Sequence, residues 1–223
     1  MLTLSRWTES TATLINKIRI RDDDVLVGSS GRTGKEFDRF KGFHNAICAD
    51  TRYFIHVPAI LAREIQQFPE CVKFVRDETA AGRMLPEIHG WEHKDYANLS
   101  VADCIEELEK AKKFILETFN YKASIWYTPH GAGADTRGKH LHIAAKEAGL
   151  TLVTCEGVNK PSALVFDVRR VKGRDISTGS KEMPPSMTKE QLLEKWQGKE
   201  IFRHWWEGHG ALTESIRFFK ENL

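Results

Sequence analysis

Short apolar runs alternate with longer helical patterns along almost the whole chain, and this alternation restricts the fold more than any other feature. Ile18-Arg19-Ile20, the TRYFIHVP stretch from Thr51 to Pro58, RMLPEIH (Arg83 to His89), ASIWY (Ala123 to Tyr127), LTLVTC (Leu150 to Cys155) and EIFRH (Glu200 to His204) read as strands. SALVFDV, residues 162–168, reads as a further one. Between the second and third strands the pattern predicts two helices broken near Pro69. NLSVADCIEELEKAKKFILETF predicts a long helix with Ser100 as N-cap and an apolar stripe through Ile105, Leu108, Ala111 and Ile115. HIAAKEAGL predicts a helix that stops at Gly149, Thr188 with Gln191 resembles a capping box opening KEQLLEKW, and ALTESIRFFKENL reads as a closing helix. Strands separated by helices argue for a parallel sheet covered by helices, either a barrel or an open doubly wound sheet.

The polar residues narrow this choice. Asp22 to Asp24, His89 to His93, Thr128 to Gly131 and His204 each fall at the carboxyl end of an expected strand or just past it. In a β/α barrel those ends share one face, where active sites are built.

A chain of 223 residues with 41% hydrophobic and 29% charged content suits one globular domain spanning residues 1–223. The net charge is +2 and the basic residues are scattered, so no footprint for nucleic acid stands out. Cys48, Cys71, Cys104 and Cys155 lie far apart and form no C-x-x-C pair, which argues against a thiolate zinc site and for thiols in a reducing compartment. No apolar run has the length of a signal peptide or of a membrane span. The expectation is therefore a cytoplasmic protein, although a secreted form trimmed of its leader would read the same; oligomeric state is not legible. GSSGRTGK, Gly28 to Lys35, resembles a phosphate loop but fails on spacing: glycine would be needed at Ser29 and a hydroxyl at Glu36.

PEIHGWEH, Pro86 to His93, holds two histidines four residues apart with a glutamate beside the second. As H-x-x-E-H it would be a zinc peptidase signature, which needs a helix. Pro86, Gly90 and the strand-like MLPEI before it speak against one. His89 and His93 alone would as readily cap the next helix or pack on Trp91. With Asp22-Asp23-Asp24 the pair means more. Three adjacent carboxylates repel one another, which a cation or a shared proton compensates, although alone they read also as a solvated acidic turn; zinc takes histidine nitrogens together with carboxylate oxygens.

The acidic pair ending the first strand, H-x-x-x-H ending the third, the aromatic x-x-P-x-G segment ending the fourth and the histidine on the last strand resemble the NodB-type polysaccharide deacetylases, over roughly Ile18 to His209. The resemblance implies a distorted, incomplete (β/α) barrel that binds a divalent metal, usually zinc, through Asp-His-His. It also implies hydrolysis of an N- or O-acetyl group from a sugar or glycan. Carried over by position, Asp23 is the catalytic base and Asp24, His89 and His93 are the metal ligands; Asp22 with Asp23 is the other register. In WYTPHG, Tyr127 stands where an arginine normally orients the base, and His130 stands where an aromatic residue offers its backbone N–H to the oxyanion. Pro129 lies between them, and Trp91 joins these residues as a substrate contact. His204 matches the late histidine that protonates the leaving atom. The aspartate that would orient it has no clear counterpart, Asp167 and Asp175 being candidates.

The chemistry suits these residue types independently of the resemblance. A metal polarises the carbonyl and activates water, a carboxylate takes the proton, and an imidazole returns one to the departing atom. Trp91, Trp126, Trp205 and Trp206 offer flat faces for sugar rings, or equally fill the core. Two rival readings stand beside this one: a barrel that binds glycan or metal without catalysis, and the zinc peptidase.

Overall fold

In the computed structural model, residues 18–23, 25, 35–48, 54–131, 138–153 and 200–204 are described. Six strands alternate with helices: β1 (Ile18–Asp23), α1 (Lys35–Cys48), β2 (Phe54–Leu61), α2 (Ala62–Ile65), α3 (Pro69–Ala80), β3 (Glu87–Gly90), α4 (Val101–Phe119), β4 (Ile125–Tyr127), α5 (Leu141–Glu147), β5 (Thr151–Val153) and β6 (Glu200–His204). All the pairings are parallel and the sheet order is β5-β4-β3-β2-β1-β6. Each of the first five strands lies beside its predecessor, and the last returns to the first. A doubly wound sheet reverses direction partway across, whereas sequential winding that brings the last strand next to the first is barrel order. The fold is thus a distorted, incomplete (β/α) barrel. Its opening among the described residues falls between β5 and β6.

Strands β2, β3 and β4 are buried on both faces, as parallel strands under helices must be. Alternation along β2 sends Ile55, Val57 and Ala59 inward, where they meet Ile125, Tyr127 and Val153. Phe54 and Ile60 point outward into the larger core shared with Ile20, Phe40, Phe43, Leu108 and Trp126. The strand runs past Pro58 to Leu61, longer than the sequence pattern suggests. Pairing with β1 ends at Pro58 and pairing with β3 resumes at Ala59, so the missing N–H falls where the ladder changes sides.

The long helix α4 forms as its sequence predicts. Ser100 caps it by accepting from the Asp103 N–H, and Asn120 ends it in the left-handed conformation. Its buried stripe is Cys104, Leu108, Ala111, Ile115 and Phe119. Cys104 takes the place expected for Ile105, which is only partly buried against the core. Helix α1 is absent from the sequence reading, because its polar N-terminal half masks the apolar face formed by Phe40, Phe43 and Ile47. The strand expected at residues 162–168, the Thr188/Gln191 box and the closing helix lie outside the described residues. No helix among the described residues is long and apolar enough to cross a membrane.

Candidate active site

Alternation along β1 separates the adjacent aspartates. Ile20 joins the outer core, and Asp22 lies on the same face, its Oδ2 3.7 Å from Nε2 of His56, which is surrounded by Phe40, Phe43 and His44. Arg21 and Asp23 point to the barrel interior. There Arg21 Nη2 donates to Asp23 Oδ2 at 2.8 Å, both side chains being 2% exposed. The guanidinium carbon lies 4.3 Å above the centre of the Tyr127 ring, and Arg19 Nη2 donates to the Tyr127 hydroxyl at 3.5 Å. Breaking a buried ion pair by removing one partner costs about 3–5 kcal/mol, because the other charge is left in a medium that solvates it poorly. Asp24 lies outside the described residues.

On β3, Glu87 and His89 face inward and Ile88 outward. Glu87 is a structural anchor at the amino end of the barrel. It accepts from the Ser124 and Ile125 N–H groups and the Tyr121 hydroxyl, while burial pushes its carboxyl up. Toward the other end, His89 Nδ1 lies 2.7 Å from the carbonyl oxygen of Tyr127. A carbonyl can only accept, so Nδ1 carries the proton and the neutral ring keeps its lone pair on Nε2.

The chain leaves β3 in a bend, not a helix, through residues 91–93, so H-x-x-E-H lacks the helical frame of a peptidase site. Gly90 is required there: a Cβ would stand 2.6 Å from the Tyr96 hydroxyl and 3.0 Å from the Glu92 carbonyl. The Tyr96 hydroxyl in turn accepts from the Trp91 N–H at 3.0 Å. Glu92 pairs with Arg63 and Lys94 and is thereby turned to the surface network. The His93 N–H donates to Glu64 Oε1 at 3.2 Å. Its ring centre lies 5.6 Å from that of His89 and 4.3 Å from that of His130, so three imidazoles from one strand and the segments after β3 and β4 converge.

On β4, Tyr127 is buried under Arg21, and Thr128 N–H continues the sheet to Val153 O at 3.1 Å. Pro129 is buried, and the exposed His130 has φ of 56°, a left-handed turn that bends the loop over His93. Trp126 belongs to the core. Its side chain is fully buried, edge-on to Tyr96, with Nε1 donating to the His89 carbonyl at 3.3 Å. It therefore supports the β3 loop from the outer core and offers no face to a sugar. Trp91 is partly buried on the same core; Trp205 and Trp206 lie outside the described residues. On β6 the backbone register pairs His204 with Asp23, at the carboxyl ends of neighbouring strands.

The donor set bears on the metal as follows. His89 has the arrangement of a metal ligand whose other ring nitrogen is tied to a backbone carbonyl, and His93 stands beside it. Among the described residues no group of three candidate ligands forms, the expected third, Asp24, being outside them.

Two features were given no role from the sequence. Arg21 is one: its spacing of two from Asp23 puts both on one strand face, a signal available from alternation alone. The other is a polar chain behind β1. His44 Nε2 donates to Glu78 Oε2 at 2.8 Å, His44 Nδ1 meets His56 Nδ1 at 3.1 Å, and Arg83 holds Glu78. Burial lowers the pKa of both histidines, that of His56 strongly.

The family model for polysaccharide deacetylases matches residues 58–153, which include the His89 and His93 loop and the Tyr127 to His130 segment but neither the aspartates of β1 nor His204. No curated protein matches the chain by sequence. Among solved structures, a family 4 carbohydrate esterase from Streptomyces lividans, in complex with acetate, is similar at 15% identity. The match covers 92% of this chain and 88% of that one, with a TM-score of 0.56. A family 4 pseudoenzyme from Bacillus anthracis is similar at 15% identity and a TM-score of 0.57, over 92% of this chain and 61% of that one. A mutant of that pseudoenzyme with restored enzymatic activity is similar at 15% identity and a TM-score of 0.55, over 92% and 63%. The chain thus spans under two thirds of the length of these last two. Over residues 58–153 the chain is thus similar to the polysaccharide deacetylases, and its fold is the barrel of the family 4 carbohydrate esterases.

Proposed function

We propose that this chain is a metal-dependent hydrolase that removes N- or O-linked acetyl groups from a sugar or glycan. One observation carries the reading: Asp23, Arg21, Tyr127 and His89 form a continuous line of contacts at the carboxyl ends of β1, β3 and β4. His89 and His93, with Asp24, would hold a divalent cation, zinc by preference for this donor set. Such a cation supplies polarisation of the acetyl carbonyl and acidification of water.

The chain's own residues do the rest. Asp23 takes the proton of the attacking water, and Arg21 keeps it aimed. His204, level with Asp23 on the neighbouring strand, gives a proton to the departing nitrogen or oxygen. Each of these transfers is worth about two to four orders of magnitude. The left-handed turn at His130 brings backbone N–H groups to the rim, where they help hold the tetrahedral oxygen. Pro129 fixes that turn and Trp91 borders the pocket.

The rival is a barrel that binds glycan without turnover, favoured by Tyr127 standing where an arginine is usual and by the likeness to a pseudoenzyme. Acetate release from acetylated chito-oligosaccharides and acetylated xylo-oligosaccharides by the zinc-loaded protein decides between them. Acetate formed by wild type and lost in Asp23→Asn supports the hydrolase. Binding of the same oligosaccharides without acetate release sinks it.

A further inference from the structure

We propose that Arg21 is the residue that positions Asp23, and that Tyr127 serves the reaction as the surface on which Arg21 lies. This rests on the deacetylase reading and deepens it. Nothing in the sequence pattern assigned Arg21 a role, yet its side chain is only 2% exposed and is engaged at one face and one edge. One face of the guanidinium meets the Tyr127 ring at 4.3 Å, a stacking geometry that arginine favours because it is planar and weakly hydrated. Its Nη2 donates to Asp23 Oδ2 at 2.8 Å.

The arrangement is rigid for reasons of geometry. Arg21 and Asp23 are two residues apart on a strand, so their side chains leave the same face in parallel. A guanidinium that merely reached back along the strand would retain several rotamers. The tyrosine ring beneath it removes that freedom. Tyr127 is itself held, with Arg19 donating to its hydroxyl at 3.5 Å and its carbonyl accepting from His89. Arg21 thus fixes the orientation of the Asp23 carboxylate through Oδ2. The same tyrosine therefore orients the base through its ring and His89 through its carbonyl, so the two halves of the site share one support. A tyrosine at this place is accordingly compatible with a working base, because the positive charge comes from β1 itself.

The test uses the full-length, zinc-loaded protein with Arg21→Ala, Arg21→Lys, Tyr127→Phe and Tyr127→Leu, read by acetate release, zinc content and thermal unfolding. Arg21→Ala is expected to lower kcat about 100-fold while KM stays within about threefold, the signature of an interaction made in the transition state. Arg21→Lys, which restores charge without the planar fork, should recover part of that loss. Tyr127→Phe, which keeps the ring face, should lose less than Tyr127→Leu. A role confined to stability would lower the folded fraction and leave kcat per folded molecule unchanged, and that result overturns the proposal, as does Arg21→Ala with kcat within about twofold of wild type. Should wild type release no acetate, the deacetylase reading fails, and thermal unfolding of Arg21→Ala, Asp23→Asn and the double variant still decides whether the pair is coupled. Shifts that are not additive support the linkage, and additive shifts overturn it.

Discussion

His89 donates its Nδ1–H to the carbonyl oxygen of Tyr127 at 2.7 Å, so a residue on β4 sets the tautomer of a histidine on β3. The Nε2 lone pair is thereby kept for accepting, with the His93 ring centre 5.6 Å from that of His89. His89→Ala should lower zinc affinity by at least about 100-fold, measured by competition with a chromophoric chelator. His89→Ala protein that still binds zinc at wild-type affinity would remove His89 from the ligand set. Treating wild type with a strong chelator should abolish acetate release, and adding back zinc should restore it.

Asp23→Asn keeps the size of the side chain and removes the base. Turnover should fall by about two to four orders of magnitude while zinc content stays at the wild-type level, checked by elemental analysis beside initial rates. Full activity in this variant would move the base elsewhere.

Glu92 is occupied by Arg63 and Lys94 on the outside of the loop. Glu92→Ala should leave acetate release within about threefold of wild type, since rim ion pairs contribute little. Complete loss of hydrolysis would revive the peptidase reading, in which that glutamate is the base.

Gly90 lies where the loop folds back on itself. A Cβ there meets both a buried hydroxyl that is bonded to Trp91 and the Glu92 backbone, and neither can withdraw cheaply. Gly90→Ala should cost about 1–3 kcal/mol of stability in urea unfolding. Zinc affinity should fall with it, because His89 and His93 flank the displaced segment.

His44 and His56 are neutral in the folded protein because burial lowers both below the usual 6.5. As the pH drops below about 6.5 the unfolded chain takes up protons that these rings refuse when folded. Their contribution to stability is therefore present above that pH and is lost as the pH falls. The unfolding midpoint of wild type should drop between pH 7 and pH 5. His56→Gln, which keeps a hydrogen-bonding partner for His44 without titrating, should show a shallower slope. An identical slope in the two proteins would assign the acid sensitivity to other groups.

The extent to which the site was legible follows from how local each signal is. His89 and His93 were readable as a pair because Pro86 and Gly90 announce a strand running into a loop, and the structure has that bend. Trp126 was left between sugar platform and core because composition does not distinguish a tryptophan facing a substrate from one facing a helix; one step of alternation along β4 places it in the core. Arg21 was given no role, because only Tyr127, 106 positions later in the chain, turns it into a buried and stacked group. The His44, His56 and Glu78 chain joins three elements whose residues carry no common spacing.

By itself the sequence determined the alternation of strands and helices, the cap at Ser100, the left-handed stop at Gly149 and the gathering of polar residues at strand ends. These are written within one turn or one strand, where propensity and periodicity act. Only the tertiary structure decided that the sheet winds in barrel order and that Asp22 and Asp23 face opposite layers. It also decided that Arg21, Tyr127 and His89 touch. Those facts depend on register between strands far apart in the chain, and register is set by the packing of both sheet faces at once.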